Sequence, residues 1–265
     1  MSTTPEARRD PGVKVLRKAI QVLETFTPDR PSLPLGFIAK AVGLNPATAW
    51  RILGTLEEKG LITHDPDTRE YSLGLKVLEL GSRVAHSHLL RRVARPVMTE
   101  LRDECGESVY LGVYDAGDVV YLDIVESPHP LRIVVRVGDR LPSHCTGTGK
   151  VLLAYLPQEE LRTFLRRPLQ RYLPTSPGTA AELLPHLATT LQAGYGVSSE
   201  EHFQGISSVG APIWDRLGHV IAALSLCGPS QRLPETELHR LAPRVLAAAR
   251  QISQALGSWS EGPQA

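Results

Sequence analysis

The polar residues Thr48, Arg51 and Thr55 recur three and four positions apart, which is the spacing that places side chains on one face of an α-helix. A guanidinium beside two hydroxyls can form hydrogen bonds with base edges or phosphates, and this chemistry is typical of a helix that enters the major groove of DNA. Arg51 can read a guanine or hold a phosphate, and both roles stay open at this point. An ordinary solvated helix carries similar residues, so the neighbouring elements decide what the pattern means.

Three predicted helices hold this face in place. Apolar residues at helical spacing predict a first helix over residues 13–27 and a second over 35–42, and Gly43 suits the tight turn that follows. Asn45 is a suitable N-cap for a third helix, which contains the polar face and runs to residue 59, because its side chain can accept a hydrogen bond from a free backbone N–H. Two helices separated by such a turn are typical of a DNA-binding motif.

A predicted β-hairpin follows the third helix. Two short strands, residues 61–64 and 69–73, flank an Asp-Pro turn. A hairpin in this place forms the wing of a winged helix-turn-helix, and we expect Arg69 to contact the DNA backbone or the minor groove from it. Asn45 is expected to bind a phosphate at the start of the third helix. Further phosphate contacts are expected from two basic residues of the first helix, Arg17 and Lys18.

Composition limits what the whole chain can be. The 265 residues are 42% hydrophobic and 22% charged, an ordinary globular balance that allows two domains. The net charge is +1, and residues 1–74 hold ten Lys or Arg against nine Asp or Glu, so DNA binding is argued from the motif and not from bulk charge. The three cysteines are far apart, and there is neither a membrane-length apolar run nor an apolar signal core at the N-terminus. These features predict a cytoplasmic protein with no membrane partner.

The chain is predicted to be α+β and to contain two domains. Residues 1–12 are expected to form a flexible arm, 13–74 the winged helix-turn-helix, 75–90 a linker helix, 91–258 the second domain and 259–265 a tail. The second domain is expected to hold a mostly antiparallel sheet and a terminal amphipathic helix. Its predicted strands are 109–114, 119–125, 131–137, 195–198, 206–214 and 220–227, and its predicted helices are 150–155, 159–165, 180–193 and 235–256.

Two segments of the second domain resemble catalytic motifs without matching them. The Gly-Thr-Gly-Lys sequence at 147–150 resembles a phosphate-binding P-loop, but His144 stands where that loop needs glycine and Val151 where it needs serine or threonine. Residues 205–210 contain glycine and serine, but their spacing differs by one residue from that of a nucleophile elbow. The sequence therefore predicts neither an enzyme nor a cofactor.

A transition-metal site is the next alternative. His144, Cys145, Glu200, Glu201 and His202 can meet in space, and histidine and cysteine are good transition-metal ligands. None of their spacings is that of a dedicated metal site. The simpler interpretation is a loop histidine at 202 and a small core residue at 145. We expect no metal, and the alternative remains open at this stage.

Longer segments resemble the IclR family of bacterial regulators over nearly the whole chain. The similar segments are 35–44, 51–62 and 71–74 in the first domain and 144–154, 194–197, 200–205, 211–215 and 222–229 in the second. The resemblance implies a GAF-like effector domain, homodimers that often pair into tetramers, and transcription controlled by a small molecule. An operator that a dimer reads is expected to be palindromic double-stranded DNA.

The resemblance also implies a ligand pocket in the second domain. The family's glycine-rich loop offers backbone N–H groups to a ligand carboxylate, and Gly147 and Thr148 occupy that loop here. The other polar positions of the pocket correspond to Ser198, Ser208, Ser225 and Cys227. Many relatives have an acidic residue at the position of Ser198 and a serine at that of Cys227, so the resemblance does not identify the ligand. The backbone donors of the loop predict a small organic or aromatic acid. Leu131, Ile133, Leu224 and Leu226 are nearby candidates for apolar walls, and strand alternation requires that some of them point away.

Overall fold

The computed structural model describes residues 13–80, 89–133 and 135–257. The chain divides into two compact units between residues 85 and 86. The arm predicted at 1–12, the tail predicted at 259–265 and part of the predicted linker helix, residues 81–88, lie outside the described residues.

Three helices form most of the first unit, as the apolar spacing predicted. They are α1 (Lys14–Leu23), α2 (Leu35–Val42) and α3 (Pro46–Glu58). Gly43 has φ +66° directly after α2, so the turn uses the left-handed backbone that glycine adopts without strain. The helices share one core, and Val22, Ile38 and Leu53 are fully buried in it.

A three-stranded antiparallel sheet completes the first unit. Its strands are β1 (Ser32–Pro34), β2 (Ile62–His64) and β3 (Glu70–Leu73), in the order β1-β3-β2. The predicted hairpin corresponds to β2 and β3. The strand β1 was not predicted, because a three-residue strand that ends in proline shows no readable alternation. Residues 75–80 after the sheet are helical.

The second unit is built on a six-stranded antiparallel sheet in the order β6-β5-β4-β9-β8-β7. The strands are β4 (Ser108–Asp115), β5 (Asp118–Val125), β6 (Arg140–Pro142), β7 (Gly196–Ser199), β8 (Ile206–Trp214) and β9 (Val220–Pro229). The helices are α4 (Leu89–Cys105), α5 (Gly147–Ala154), α6 (Gln158–Leu165), α7 (Ala180–Ala193) and α8 (Glu235–Ala255). The residue at which the predicted linker helix ends, 90, lies inside α4.

The two faces of this sheet have different partners. Helices α4 and α8 cover one face and enclose the largest apolar core, which includes Leu111, Ile213 and Leu224. Helix α5 packs on the opposite face beside Tyr110 and Tyr121. The layer of α5 is where the polar side chains of the second unit converge.

The predicted strand at 131–137 is wrong. Residues 131–133 and 135–137 form no strand, and the short strand β6 lies just beyond them. The cause is a turn with φ +93° at Gly138, in which Asp139 accepts the N–H of Arg136 at 2.8 Å. The segment stays beside the sheet because Gly138 N–H donates to Tyr121 O and Tyr121 N–H donates to Asp139 O. The apolar residues before the turn are therefore free to cover something other than a neighbouring strand.

Candidate functional site

The predicted polar face of the first unit lies on α3. The side chain of Asn45 caps this helix by accepting the N–H of Thr48 at 2.8 Å, and Pro46 occupies the first helical position. Arg51 is exposed, whereas Thr48 is half-buried. The hydroxyl of Thr55 donates to the carbonyl of Arg51 at 3.0 Å and so has already used its proton within the helix. Arg51 therefore has the least committed polar group on this face.

Arg69 lies at the tip of the wing. The carboxylate of Asp65 accepts the N–H groups of Asp67 and Thr68, and this closes the turn between β2 and β3. Arg69 follows with φ +57° and an exposed side chain. A residue other than glycine in the left-handed backbone region carries a conformational strain, and such residues are often found at functional sites.

Lys18, for which a phosphate contact is predicted, has a partner within the first unit, and the phosphate contact stays a prediction. Its ammonium donates to the carbonyl of Val42 at 2.5 Å, at the C-terminal end of α2. A cation in this place satisfies a free carbonyl and interacts favourably with the negative end of the helix dipole. Lys18 is thus a structural residue between α1 and α2.

The second unit contains a cavity between α5, the sheet and the segment that precedes β6. The centre of a water-sized sphere can occupy about 40 Å³ of it, which is above the minimum of about 10–15 Å³ that a site needs to admit a water molecule. Among the described residues, no Lys, Arg, Asp or Glu lines it. The lining residues are Tyr110, Tyr121, Ile133, Val135, Leu141, Cys145, Thr146, Thr148, Ser198, His202, Phe203, Ile206, Ser208, Ser225 and Cys227.

Five of the six predicted pocket residues line this cavity, and two of their hydroxyls have free protons. Thr148 donates its hydroxyl proton to Ser225 Oγ at 2.7 Å, and the backbone N–H of Gly147 donates to Ser208 Oγ at 3.1 Å. Ser225 and Ser208 therefore act as acceptors toward the protein and keep their own protons. Ser198 donates to the carbonyl of Cys145 at 2.9 Å. The cavity thus has hydroxyl donors that can point at a ligand.

Gly147 does not line the cavity, and its role differs from the expected one. A Cβ on Gly147 would lie 3.0 Å from the Ser208 carbonyl oxygen and 3.1 Å from that of Gly196, and a Cβ on Gly210 would lie 2.9 Å from the backbone of Gly147. Glycines at 147, 196 and 210 let the start of α5 approach β7 and β8 closely. Because the N–H of Gly147 is bound to Ser208, it reaches a ligand only through that hydroxyl.

Three of the four candidate apolar walls lie outside the cavity, as strand alternation required of some of them. Successive residues of β9 alternate between the faces of the sheet, so Ser225 and Cys227 face the cavity while Leu224 and Leu226 enter the core beneath α4 and α8. Leu131 is 61% exposed and also lies outside the cavity. Ile133 alone among the four lines it.

Two tyrosines form the wall that the sequence did not predict. The rings of Tyr110 and Tyr121 meet edge to face with centroids 5.4 Å apart. Tyr110 donates its hydroxyl proton to the carbonyl of Ile133 at 3.2 Å and so holds the covering segment in place. Burial raises the pKa of both phenols well above the usual value, so both stay protonated at neutral pH. A signal was available, since Tyr110 lies opposite Ser225 in the β4–β9 pairing, but it requires the strand register.

His202 and Phe203 form another wall that sequence reasoning missed. The His202 ring meets Tyr172 edge to face with centroids 4.5 Å apart and meets Phe203 at 4.2 Å. Burial lowers the pKa of His202, which favours the neutral imidazole. Its Nδ1 atom is buried and has no hydrogen-bond partner among the residues that the structure describes. A neutral ring with an unpaired nitrogen can accept or donate one hydrogen bond to a molecule in the cavity.

A buried ion pair supports the cavity from beneath. Lys150 on α5 is 1% exposed, and its ammonium lies 2.5 Å from Glu201 Oε1. The same ammonium donates to Val197 O on β7 at 3.0 Å and to His186 Nδ1 on α7 at 3.1 Å. Burial lowers the pKa of Lys150 and raises that of Glu201, so the protein spends solvation energy on this pair. Lys150 thereby joins α5, α7 and β7 behind the glycine-rich loop.

Three of the five residues of the metal alternative have other partners. Glu201 binds Lys150, Glu200 accepts the N–H of Gly205 at 3.0 Å, and His144 Nε2 lies 2.9 Å from Gln170 O. Burial raises the pKa of Cys145 to about 12, so its thiol stays protonated. Within the ranges that the structure describes, no three His, Cys, Asp or Glu side chains are placed to hold a metal ion. In the same ranges, no helix is long and apolar enough to cross a membrane.

A winged helix-turn-helix in one chain with a second unit that encloses a polar and aromatic cavity defines a ligand-responsive DNA-binding regulator. Comparison with known families gives the same class. Residues 15–66 match the IclR helix-turn-helix domain, and residues 82–254 match the bacterial transcriptional regulator IclR C-terminal domain. The chain belongs to the IclR family.

Individual relatives agree with this assignment along nearly the full chain. The HTH-type transcriptional regulator XynR of Escherichia coli is 34% identical over 250 residues, which cover 93% of this chain and 98% of the relative. The HTH-type transcriptional regulator KdgR of Dickeya chrysanthemi is 33% identical over 92% of this chain and 80% of its own length. A crystal structure of an IclR homologue from Microbacterium hydrocarbonoxydans, complexed with 4-hydroxybenzoate, is 28% identical with a TM-score of 0.80 and covers 92% of this chain and 99% of that one.

The family membership establishes the general activity. The chain is a DNA-binding transcriptional regulator with a C-terminal effector-binding domain, and it is not an enzyme.

Proposed function

We propose that the cavity beside α5 binds a compact organic or aromatic acid and that this ligand controls DNA binding by α3 and the wing. The observation that carries the proposal is the pair of free hydroxyl protons on Ser208 and Ser225, which face a cavity with aromatic walls. These hydroxyls can donate hydrogen bonds to ligand oxygens, and the two tyrosine rings can stack beside a planar ligand.

The charge of the cavity limits the ligand. Because no described charged side chain lines it, a carboxylate has to be stabilised by hydroxyls and by the N-terminal end of α5, where Thr148 is the second helical residue. One carboxylate on a small body fits such a site better than a molecule with several charges, since each unpaired buried charge costs several kcal/mol. A relative complexed with 4-hydroxybenzoate supports this chemical class. The fold supports a GAF-like arrangement of this domain.

A thermal-shift screen tests the ligand class. Wild-type protein is melted with a panel of small acids that includes benzoate, 4-hydroxybenzoate and short aliphatic acids. A true ligand at a hundred times its Kd adds about 2.7 kcal/mol, which raises the Tm by roughly 5–10 °C. Ser225→Ala removes one donor and should weaken that response, while Thr163→Leu, on an exposed turn of α6, should leave it unchanged. A panel with no stabilising acid would contradict the proposal.

The proposed DNA-binding residues are Asn45, Thr48, Arg51, Thr55 and Arg69. A duplex selected from a random pool with the wild-type protein provides the assay. Arg51→Ala should lose about 1–3 kcal/mol of binding if Arg51 reads a base. Lys59→Ala is the matched control, because Lys59 is an exposed cation at the other end of α3 and pairs with Glu58. Equal affinity of both variants, with intact folds, would exclude Arg51.

We propose that the operator is palindromic and that a homodimer or a tetramer reads it. The proposed location is the cytoplasm, where bacterial DNA lies. Helix-turn-helix dimers place their recognition helices about 34–36 Å apart, so the selected duplexes should contain inverted half-sites about one helical turn apart or at multiples of it. Light scattering at micromolar concentration should give a dimer or a tetramer. A monomer that protects one isolated half-site would contradict this part of the proposal.

A further inference from the structure

The largest exposed apolar side chain on α3 is not among the predicted DNA contacts. Trp50 is 64% exposed, whereas its helix neighbours Ala49, Ile52 and Leu53 are buried in the core of the first unit. An indole offers one of the largest apolar surfaces of any side chain and carries an N–H donor at its edge. The exposure shows that the fold of this unit does not use Trp50.

The surroundings of Trp50 on the helix are small and open. Ala47, Trp50, Arg51 and Gly54 follow the spacing i, i+3, i+4, i+7 and so form one outward stripe. A Cβ on Gly54 would have no atom within 4 Å, so nothing in the described unit covers the stripe at that point. Small residues at both ends let the backbone of α3 come close to a surface while the indole and the guanidinium reach into it.

We propose that Trp50 reads DNA sequence by packing its indole against the 5-methyl group of a thymine in the major groove, beside the base or phosphate that Arg51 binds. The inference rests on the proposed role of α3 as the recognition helix. The only large apolar group on a base edge in that groove is the thymine methyl, and it is recognised by apolar contact. Thr55 donates its hydroxyl proton to Arg51 O, and Asn45 Oδ1 accepts the N–H of Thr48, so both side chains have fewer groups left for base edges. More of the base reading on α3 therefore falls to Trp50 and Arg51.

A second copy of the chain is the competing occupant of this stripe. Exposed apolar surface is available elsewhere in the first unit for self-association, on Val15, Leu16 and Ile20 of α1. The indole on α3 lies beside a guanidinium and two small residues. This mixture suits a DNA groove lined with phosphates and methyl groups better than it suits the apolar face of a helix from a second copy. DNA is therefore the occupant that the stripe favours.

Thymine-to-deoxyuridine replacement tests the contact one methyl group at a time. A duplex selected from a random pool is labelled, each dT is replaced by dU in turn, and the Kd is measured by fluorescence anisotropy. One replacement should weaken wild-type binding about fourfold, the equivalent of about 0.8 kcal/mol for one buried methyl group. The same replacement should have no effect on Trp50→Ala, and Trp50→Phe should keep part of the sensitivity.

The outcomes separate this inference from the role of α3. If Arg51→Ala loses affinity and Trp50→Ala binds like wild type, the inference fails while the recognition helix stands. If neither variant loses affinity, or selection yields no bound duplex, both fail. If Trp50→Ala binds more weakly but stays equally sensitive to every dU, or if it changes the oligomeric state in light scattering, the indole has another role and the inference is overturned. Circular-dichroism melting confirms that the variants fold.

Discussion

The buried pair of Lys150 and Glu201 makes a sharp prediction about the architecture behind the cavity. Lys150→Met keeps most of the side-chain volume and removes the ammonium. The change leaves Glu201, itself 5% exposed, without its cation, and it also leaves the carbonyl of Val197 without a donor. Removing one partner of a buried pair typically costs about 3–5 kcal/mol. For a unit of this size, the Tm should fall by roughly 6–20 °C.

The loss should depend on pH in a definite direction. Burial already raises the pKa of Glu201, and loss of the neighbouring ammonium raises it further. A carboxyl whose pKa is higher in the folded than in the unfolded state binds more protons when folded, so stability falls as the pH rises through the folded pKa. The Tm difference between Lys150→Met and wild type should therefore be large at pH 8 and shrink as the pH falls toward 5, where the neutral carboxyl needs no partner.

Two further variants serve as controls in the same melting assay. Lys59→Met removes a cation from an exposed pair, in which Lys59 and Glu58 are 66% and 70% exposed, and should lower the Tm far less than Lys150→Met. Lys150→Met/Glu201→Leu removes both buried charges and should recover most of the loss. If Lys150→Met costs no more than Lys59→Met, or if its cost does not change with pH, the assignment of a buried ion pair is wrong.

Three other predictions concern single contacts. Asn45→Ala removes the N-cap of α3 and should destabilise the first unit by about 1 kcal/mol in urea unfolding; an unchanged midpoint would show that the cap is not used. Gly149→Ala should cost about 1–3 kcal/mol or abolish folding, because the new Cβ would lie 2.2 Å from the Ser143 carbonyl oxygen. Gly54→Ala is the control, since its Cβ would meet nothing within 4 Å and should stabilise α3 by up to about 1 kcal/mol. Similar melting of both variants would refute this packing. Cys145 is 1% exposed and burial raises its pKa to about 12, so at pH 8 it should react with iodoacetamide far more slowly than free cysteine, and an equal rate would indicate an accessible, ordinary thiol.

Local signals were sufficient for the elements of the first unit. The Asn45 cap, the turn at Gly43 and the apolar spacing of α3 depend only on residues within a few positions, and they predicted the helices. Strand β1 and the role of Lys18 depend on partners about 40 and 24 positions away in sequence, Ser72 for Ser32 and Val42 for Lys18. No periodicity within one segment contains that information.

The cavity shows the same limit more strongly. Alternation on β9 predicted that Ser225 and Cys227 share a face and that Leu224 and Leu226 share the other, but not which of the two faces meets the cavity. On β5, a register shift lies between the pairs Gly112–Tyr121 and Leu111–Asp123. Tyr121 faces the cavity, while Val125 enters the core on the opposite side, so simple alternation along this strand would misplace one of them. The family resemblance supplied the polar positions, and the aromatic walls required the sheet register.

The account's central claim is that a small acid in the cavity beside α5 controls DNA binding by the first unit. A ligand has this effect only if it binds one state of the protein more tightly than the other. The direct measurement is an anisotropy titration of the selected duplex, with and without the stabilising acid, for wild type and for Ser225→Leu. Wild type should change its Kd for DNA with the acid, while Ser225→Leu should bind the duplex with the ligand-free affinity of wild type and ignore the acid, because the leucine fills the cavity. A Ser225→Leu protein that responds to the acid with unchanged affinity would place the effector site elsewhere and contradict the account.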